Sequence, residues 1–530
     1  MQFISDPSIT SKIRQMKQRV RWQDSSIMGR NIDQTRLVID DEQIDNPEFS
    51  FLVIGDSGTG RHHRHSPQRE IAKLLLKQSD YHPRLILHTG DVVYLTGSAG
   101  YYPQNFIKPY REFIVGGDNY KKVAYDQMVF NLPFLPIPGN HDYYNLPLFY
   151  GVMAQLSWPV RHLLKSRIDF DVSWRGSETG EAYARAFLDY LQQFNNPQDL
   201  ERHLDQYYTA ETSTGRSLRY QPSQFTRLPN RYYTFRYGGI DFFALDSNTF
   251  NAPIPLLETE AGEEQRRQLL QRLRALEQQK QQLLTESSKL DPDNPEQAEQ
   301  LDDNEAKIQE IDEMQFDIEK RLKAGSDGDV DVEQLRWLQE RLIASWQTSE
   351  VRGRVLFFHH PPYVTEATKW EQAQTLAIRY HLRQVLNAVA EEVGERAKNQ
   401  PIVDLVINGH AHCLEHLYTG DTGYADSYMN WIVCGGSGYS LRRQKPDGPE
   451  LYEEIENEQN TRLVAKSKLF IGRHGHGKYK RRPYSALRID VRSGQPPQFF
   501  VQPLVAERFH SQWDYPKIEG FTITRGEPSR

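Results

Sequence analysis

The sequence predicts an α/β protein whose functional groups lie on loops that follow buried strands. Short runs of β-branched and aromatic residues recur along the chain, and each ends at a Gly, Asp, Asn or His residue. Such runs are typical of buried strands. Segments of helical periodicity lie between several of them, and this alternation favours a sheet with its site at the strand ends.

Seven runs are predicted as strands, namely Phe49–Gly55, Arg84–Thr89, Phe134–Pro138, Asp241–Leu245, Arg354–Phe358, Val403–Ile407 and Trp431–Cys434. Helical periodicity marks Gln68–Gln78 and Val332–Trp346. The dipeptide at 238–239, Gly-Gly, predicts a β-hairpin that joins Arg231–Tyr237 to Ile240–Leu245.

Composition excludes several classes of protein. The chain has 530 residues, and it contains no apolar run of the roughly 18 residues that a membrane-spanning helix needs. Lys and Arg number 64 against 71 Asp and Glu, so a general nucleic-acid binder is not expected. Two cysteines are too few for a disulfide framework or a thiolate zinc site. A metal here would be held by imidazole and carboxylate groups, and the chain has 17 histidines.

Residues 1–48 are polar and include a basic helical stretch at Lys12–Arg21. They predict an N-terminal arm or a surface helix. The first residues lack the apolar segment of a secretory signal. Together with the two cysteines, this predicts a cytoplasmic location.

Two long segments interrupt the alternation of strands and helices. Residues 145–230 are predicted as a helical, aromatic insertion, in which Leu148–Leu164 is either a buried helix or a membrane-surface helix. Residues 258–324 are rich in Gln, Glu, Leu and Lys, and their apolar residues fall at heptad spacing. The breaker Asp291–Pro295 divides them. We expect a coiled-coil hairpin that projects from the body, either as a partner-binding arm or as a spacer.

Polar side chains with metal-binding chemistry follow the predicted strands. They are Asp56, Asp91, Asn140-His141-Asp142, His359-His360, His410 and His412. Burying Asp, Asn and His together is costly unless they are paired or bound to a cation. These are the oxygen and nitrogen ligands that Fe, Mn and Zn accept. Two ions about 3.5–4 Å apart share ligands of this kind and clamp a phosphate group.

The ordered motifs D-x-G, GDxxY, GNHD, HxP and GHxH resemble the calcineurin-like metallophosphoesterase superfamily, over about residues 49–255 and 330–500. The resemblance implies a four-layer αββα sandwich that forms a catalytic domain over residues 49–500, with both insertions inside it. Residues 501–530 are left as a C-terminal tail.

Within the superfamily, the sequence is most similar to the purple acid phosphatase branch. Most members have His at the third position of the first motif, whereas Asp56 is followed here by Ser57 and Gly58. The second motif places Tyr94 where the purple branch has a phenolate ligand. The resemblance therefore implies iron at the first metal site, with iron, manganese or zinc at the second.

Carried over motif by motif, the resemblance implies seven metal ligands. The first ion takes Asp56, Tyr94 and His412, Asp91 bridges both ions, and the second ion takes Asn140, His359 and His410. His141 is expected to face the phosphate and to assist the leaving group. Asp142 either orients His141 or caps the following turn.

The reaction that this ligand set implies is hydrolysis of a phosphate ester by in-line attack of a metal-bound hydroxide. A phosphomonoester is the first choice of substrate. A phosphodiester, such as a cyclic nucleotide or a lipid headgroup, is the alternative at the same site. A coiled-coil scaffold with a structural metal site is the alternative from another class.

Two basic segments are left without an assigned function. Arg61–His65 follows the first motif and either grips phosphate oxygens or forms a solvated loop. Arg473–Arg482 is the strongest basic cluster of the chain, and it either binds a polyphosphate, a nucleotide or an anionic headgroup, or forms a surface loop.

Overall fold

The structure of the chain is a computed structural model. It describes residues 5–42, 46–58, 65–145, 178–291, 294–325, 329–397, 400–454, 461–476 and 479–525. Within these ranges, two large β-sheets pack together and helices cover them, which confirms the predicted α/β class.

The strands that the structure describes are, in chain order, β1 (Ile32–Ile39), β2 (Phe49–Ile54), β3 (Pro83–His88), β4 (Phe134–Pro136), β5 (Ala210–Thr212), β6 (Gly215–Tyr220), β7 (Tyr233–Tyr237), β8 (Ile240–Ala244), β9 (Gly353–Phe358), β10 (Leu405–Asn408), β11 (Leu414–Thr419), β12 (Asn430–Cys434), β13 (Glu450–Glu454), β14 (Thr461–Ile471), β15 (Arg482–Arg492), β16 (Gln498–Phe509), β17 (Gln512–Asp514) and β18 (Phe521–Thr524). All seven runs predicted as strands are among them.

The α-helices in the same ranges are α1 (Ile9–Arg19), α2 (Ser25–Met28), α3 (Pro67–Leu76), α4 (Asn140–Tyr143), α5 (Glu181–Phe187), α6 (Pro197–Tyr207), α7 (Glu260–Ser287), α8 (Pro295–Lys323), α9 (Val332–Gln347) and α10 (Ala373–Val393). Helices α3 and α9 confirm the two predicted segments of helical periodicity. Among the helices described, none combines the length and the apolar character that crossing a membrane requires.

The two sheets bring the ends of their parallel strands together. In the described ranges, the larger sheet has the order β13-β14-β11-β12-β10-β9-β8-β7-β1-β6-β5, and the smaller has β17-β16-β15-β2-β3-β4 with β18 beside β16. Strands β2, β3 and β4 are parallel, and so are β8, β9, β10 and β12. The sheets pack face to face, with the rings of Phe51 on β2 and Phe242 on β8 5.7 Å apart. Loops after both parallel sets therefore lie at one edge.

The β-hairpin predicted around the Gly-Gly dipeptide is confirmed. Strands β7 and β8 pair in antiparallel register, with Tyr237 opposite Ile240. Gly238 and Gly239 have φ angles of 53° and 74°. A two-residue turn with positive φ at both positions matches the twist of the flanking strands, which explains the two glycines.

Both ends of the described chain contribute to the body of the fold. Met16 on helix α1 and Val20 directly after it are completely buried, and β1 lies between β7 and β6 in the larger sheet. Strand β18, in the segment assigned to the C-terminal tail, pairs with β16 and buries Ile523. The division of the chain into domains stays a prediction.

The insertion at residues 145–230 is only partly helical where it is described. Residues 146–177, which include Leu148–Leu164, lie outside the described residues. Helices α5 and α6 follow the expectation, but β5 and β6 were not expected. Strand β6 pairs in parallel with β1, about 180 residues earlier in the chain. Its sequence, GRSLRY, has a weak strand signal, so its pairing with β1 and β5 stabilises it rather than its own strand preference.

The second insertion forms a hairpin of two long helices, α7 and α8. Four residues at the predicted heptad positions, Leu276, Leu283, Ile311 and Ile318, are buried in the seam between the helices. The hairpin does not project freely as expected, because α8 lies against the body through a row of ion pairs. The heptad pattern describes only the apolar face of α8 and carries no information about its acidic face.

Candidate metal centre

The candidate ligands follow five strands, either on loops or, for Asn140, at the first residue of α4. Asp56 follows β2, Asp91 follows β3, Asn140 follows β4, His359 follows β9, and His410 and His412 follow β10. These residues are buried. The topology therefore brings together polar groups that are up to 356 residues apart in the chain.

Several of these loops hold an unusual backbone conformation. Asp56, Asp91 and His410 have φ angles of 52°, 55° and 66°, in the left-handed region that non-glycine residues rarely adopt. A Cβ atom on Gly139 would lie 2.1 Å from the Asp91 Oδ1 atom, so only glycine permits this approach. Strain of this kind persists where the surrounding structure enforces it, and it concentrates at functional sites.

The first group of donor atoms surrounds the Tyr94 hydroxyl. Its oxygen lies 2.8 Å from Asp56 Oδ1, 2.9 Å from Asp91 Oδ2 and 3.3 Å from His412 Nε2. A Cβ atom on Gly58 would lie 2.0 Å from the carbonyl oxygen of Val92, so a histidine does not fit there without movement of the backbone. Gly58, which stands where most members of the superfamily have histidine, therefore lies next to the loop that carries Tyr94.

The second group surrounds the Asn140 side-chain oxygen. Asn140 Oδ1 lies 2.9 Å from His359 Nε2 and 3.0 Å from His410 Nδ1. His359 Nε2 also lies 3.3 Å from Asp91 Oδ2. Asp91 therefore contacts both groups, as a shared ligand would.

The hydrogen bonds of His359 and His412 favour a cation at this position. His359 Nδ1 donates to the carbonyl oxygen of Thr89 at 2.8 Å, which leaves a lone pair on Nε2 in the neutral ring. That lone pair faces the Asn140 oxygen, which is also an acceptor. His412 Nδ1 donates to the Ser440 carbonyl at 3.0 Å, and its Nε2 faces Asp56 Oδ1 at 3.5 Å. Acceptors that converge in a buried site fit a bound metal ion.

The electrostatics of the site leave His410, His412 and Asp91 in forms that bind metals. Burial and the nearby Lys369 ammonium lower the pKa of His410 well below its usual value. Burial and Arg442 lower the pKa of His412 to about 3. Although burial opposes ionisation, protonated His359 lowers the pKa of Asp91 well below its usual range. In spite of its own burial, His359 has its pKa raised to about 9 by the Asp91 carboxylate. His410, His412 and Asp91 are therefore in the forms that metals require, and His359 would release its proton when a metal ion binds.

The Asp56 carboxyl differs from Asp91. Burial, together with the neighbouring Asp91 carboxylate, raises the pKa of Asp56 well above its usual value, even though His359 opposes this. Two carboxylates this close repel each other when both are ionised. Positive charge between them would remove this repulsion, so the pair also fits a metal ion.

His141 lies beside the two groups rather than inside them. Its backbone N–H donates to Asp91 Oδ1 at 2.9 Å, and its Nδ1 donates to the Leu95 carbonyl at 2.7 Å. Its ring lies beside the Tyr94 ring, tilted by 47° at a centroid distance of 4.3 Å, and the side chain is partly exposed. Nε2 is thus the nitrogen left for a bound substrate.

Asp142 caps the turn that carries His141. Its carboxylate accepts hydrogen bonds from the backbone N–H groups of Gly139 at 2.9 Å and Val92 at 3.2 Å. Of the two functions left open for Asp142, these contacts favour the cap. His360 is also buried, and its Nδ1 lies 2.8 Å from the Ser247 hydroxyl oxygen.

Four residues near the site belong to none of the sequence motifs. Lys369 Nζ lies 3.1 Å and Gln374 Nε2 lies 2.9 Å from His410 Nε2. Tyr439 stacks on Tyr94 at 3.9 Å, and the Tyr144 hydroxyl accepts from Asn140 Nδ2 at 2.8 Å. Lys369 and Gln374 come from the start of α10 and the loop before it, where no strand-end pattern marks them. The basic residues 61–64 lie outside the described residues.

Comparison with known proteins agrees with this chemistry. Residues 49–272 match the family model of the calcineurin-like phosphoesterases, which confirms the resemblance read from the motifs. A comparison with curated protein sequences finds no match.

Two solved structures show a distant likeness. One is GAP50, the anchor in the inner membrane complex of Plasmodium, with 11% identity, a TM-score of 0.38, and coverage of 90% of this chain and 88% of that one. The other is the purple acid phosphatase PPD1 from yellow lupin (Lupinus luteus) seeds, with 12% identity and a TM-score of 0.40. The alignment with PPD1 covers 90% of this chain and 54% of that protein. At these scores neither likeness bears on function.

Proposed function

We propose that this chain, a metallophosphoesterase by its match to the calcineurin-like phosphoesterase family over residues 49–272, hydrolyses phosphomonoesters at a centre of two metal ions. One observation carries the proposal. Asp91 Oδ2 lies 2.9 Å from the Tyr94 hydroxyl in one donor group and 3.3 Å from His359 Nε2 in the other. A carboxylate between two groups of buried ligands is what a two-metal site needs.

We assign the ligands as the sequence motifs imply. The first ion is held by Asp56, Tyr94 and His412, the second by Asn140, His359 and His410, and Asp91 is shared. When bound, two such ions supply positive charge for the phosphoryl oxygens and lower the pKa of a water molecule toward neutrality. The hydrogen bonds to Thr89 and Ser440 orient His359 and His412 for this purpose.

His141 is assigned to the leaving group of the ester. The Leu95 carbonyl holds Nδ1, so that Nε2 is the atom that gives a proton or a hydrogen bond to the departing oxygen. The backbone N–H of the same residue holds Asp91, which fixes the ring relative to the metal ligands. Asp142 supports this placement by capping the turn.

The proposal is tested with two synthetic esters. We expect metal-replete protein to hydrolyse p-nitrophenyl phosphate faster than bis-p-nitrophenyl phosphate, with about two metal ions per chain in elemental analysis of the same sample. Faster hydrolysis of the diester would favour the phosphodiesterase alternative. Hydrolysis of neither ester would contradict an enzymatic function and favour the scaffold.

The metal identities are a separate proposal, with iron at the first ion and iron, manganese or zinc at the second. Tyr94 carries it, because a phenolate ligand favours a trivalent ion. Oxidised, iron-replete protein is expected to show a visible charge-transfer absorption band that the conservative variant Tyr94→Phe lacks. The matched control is Tyr439→Phe, which changes the stacked neighbour of Tyr94 and should keep the band. A band that survives in Tyr94→Phe would contradict this ligand.

The cytoplasmic location and a protein partner for the helical hairpin stay predictions.

A further inference from the structure

A row of buried basic side chains extends along the body beneath helix α8. We call this row the basic strip, and it comprises Lys369, Arg442, Arg473, Lys480, Arg482 and Arg508. Three of its members come from the basic segment Arg473–Arg482, which the sequence singled out without a function. Five of the six side chains are less than 9% exposed. Cations buried this deeply need anionic partners.

The acidic face of α8 supplies those partners. Arg482 contacts Glu299 at 2.7 Å and Asp303 at 3.4 Å. Further along the helix, Arg442 contacts Glu310 at 2.9 Å. Lys480, Arg473 and Arg508 also contact carboxylates of the Glu299–Asp303 turn.

Glu313 occupies the end of the strip nearest the metal centre. Its Oε1 lies 2.8 Å from Arg442 Nη2 and its Oε2 lies 2.9 Å from Lys369 Nζ. Glu299, Asp303, Glu310 and Glu313 are spaced by four, seven and three residues, which places them on one face of the helix. At about 1.5 Å per residue, this face spans about 21 Å. The carboxylates therefore form a linear array of negative charge.

The strip ends at the candidate metal ligands. Lys369 Nζ lies 3.1 Å from His410 Nε2, and the Arg442 backbone N–H donates to the His412 carbonyl at 2.9 Å. One turn beyond Glu313, the centroids of the Phe316 and Tyr144 rings are 5.9 Å apart. The Tyr144 hydroxyl accepts a hydrogen bond from Asn140. Helix α8 therefore lies over residues that touch both donor groups.

The carboxylates of α8 do not satisfy every donor of the strip. Arg473 is 7% exposed, and among the described residues its Nε and Nη1 atoms have no hydrogen-bond acceptor. The same holds for Nε of Arg442, which is fully buried. Burial, with the charges of Arg443 and Arg482, lowers the pKa of Arg473 to about 10. Guanidinium groups with unmet donors have geometry suited to additional oxyanions.

The contact between α8 and the basic strip is mainly ionic, so other anions can compete for it. Its hydrophobic seam, formed by Leu276, Leu283, Ile311 and Ile318, is a cluster separate from the main core. Most of the described contacts between α8 and the strip are ion pairs, whose strength depends on competing anions and on salt. An anionic ligand therefore competes with the carboxylates of α8 for the strip.

We propose that the basic strip binds the additional phosphate groups of a substrate that carries two or more of them, and that the acidic face of α8 is the internal occupant of this site. The inference rests on the proposed function, since the reacting phosphate would lie at the metal ions and the next one at Lys369 and Arg442. Glu313 then competes directly with the substrate. Arginine binds phosphate oxygens in pairs, as it binds a carboxylate.

The test compares two double variants of the full, metal-replete chain. The strip-facing variant, Asp303→Asn with Glu313→Gln, removes two carboxylates that face the strip. The control variant, Asp312→Asn with Glu319→Gln, also removes two carboxylates of α8. These two pair with Lys280 and Lys323 within the hairpin. Both changes remove two charges and keep side-chain shape, so they form a matched pair. Circular dichroism confirms equal helix content, and the single variants Asp303→Asn and Glu313→Gln repeat the comparison if a double variant does not fold.

The probes are methylenediphosphonate, which carries two phosphonate groups and resists hydrolysis, and methylphosphonate, which carries one. By calorimetry, we expect the strip-facing variant to bind methylenediphosphonate about tenfold more tightly than the control variant. Methylphosphonate should bind the two variants with dissociation constants that agree within about twofold. Adding Arg442→Gln to the strip-facing variant should abolish the gain for methylenediphosphonate.

Equal affinities of the two variants for methylenediphosphonate would overturn the proposal, and so would an equal gain for both probes. The proposed function has its own readout, because wild-type protein that hydrolyses neither nitrophenyl ester contradicts that function. The phosphonate comparison tests whether the basic strip binds a second phosphate group, whatever the result with the nitrophenyl esters.

Discussion

Replacing His141 with alanine is expected to reduce the turnover of p-nitrophenyl phosphate by about 10²–10⁴-fold, the usual contribution of a positioned general acid. Metal content should stay close to that of the wild type, because His141 lies beside both donor groups and contacts Asp91 through its backbone N–H, which alanine retains. Steady-state kinetics and elemental analysis of the same sample measure the two effects.

The control for His141 is His82→Ala. His82 is exposed and directly precedes β3, whereas Asp91 follows the opposite end of that strand. This variant should hydrolyse the ester at the wild-type rate. If His141→Ala loses one metal ion, His141 is a ligand and its assignment to the leaving group is wrong.

Replacing Asp91 with asparagine is expected to remove both metal ions and all measurable turnover. Asp91 is the carboxylate shared by the two donor groups, and asparagine keeps its shape but not its charge. Even an outer-shell partner of a metal ligand typically contributes about 10–100-fold to metal affinity. A shared ligand should contribute more. Metal content after dialysis, together with thermal unfolding to confirm the fold, measures the result.

Asp56→Asn provides the matched comparison for Asp91→Asn. Asp56 contacts the Tyr94 group through Oδ1, and its Oδ2 accepts from the His410 backbone N–H. The variant should therefore lose the first ion and retain more of the second than Asp91→Asn does. Equal metal content of Asp91→Asn and wild type, or equal losses in the two variants, would contradict a shared ligand.

The positions of the candidate ligands follow from local signals in the sequence. Each of Asp56, Asp91, Asn140 and His359 comes within a few residues of a run that forms a buried strand. Because parallel strands end at one edge of a sheet, the motifs that follow the predicted strands were enough to predict that these side chains meet. The heptad positions of the hairpin were also local, and its seam follows them.

Other features depend on pairings that no local pattern records. Strand β6 has little strand preference of its own, and its pairing with the distant strand β1 places it in the larger sheet. Lys369 and Gln374 reach His410 only because the chain before α10 returns to the metal centre. Side chains brought together in this way are distant in sequence and have no spacing that a single sequence reveals.

The sequence by itself determined which residue types follow which strands, and with them the α/β class and the chemistry of the candidate metal centre. Periodicity and turn residues act over a few positions, so they are visible in the chain alone. Only the tertiary structure decided that Asp91 contacts both donor groups and that the acidic face of α8 lies on the basic strip. Those contacts arise when burial forces distant charged groups to find partners, a condition imposed by the whole fold.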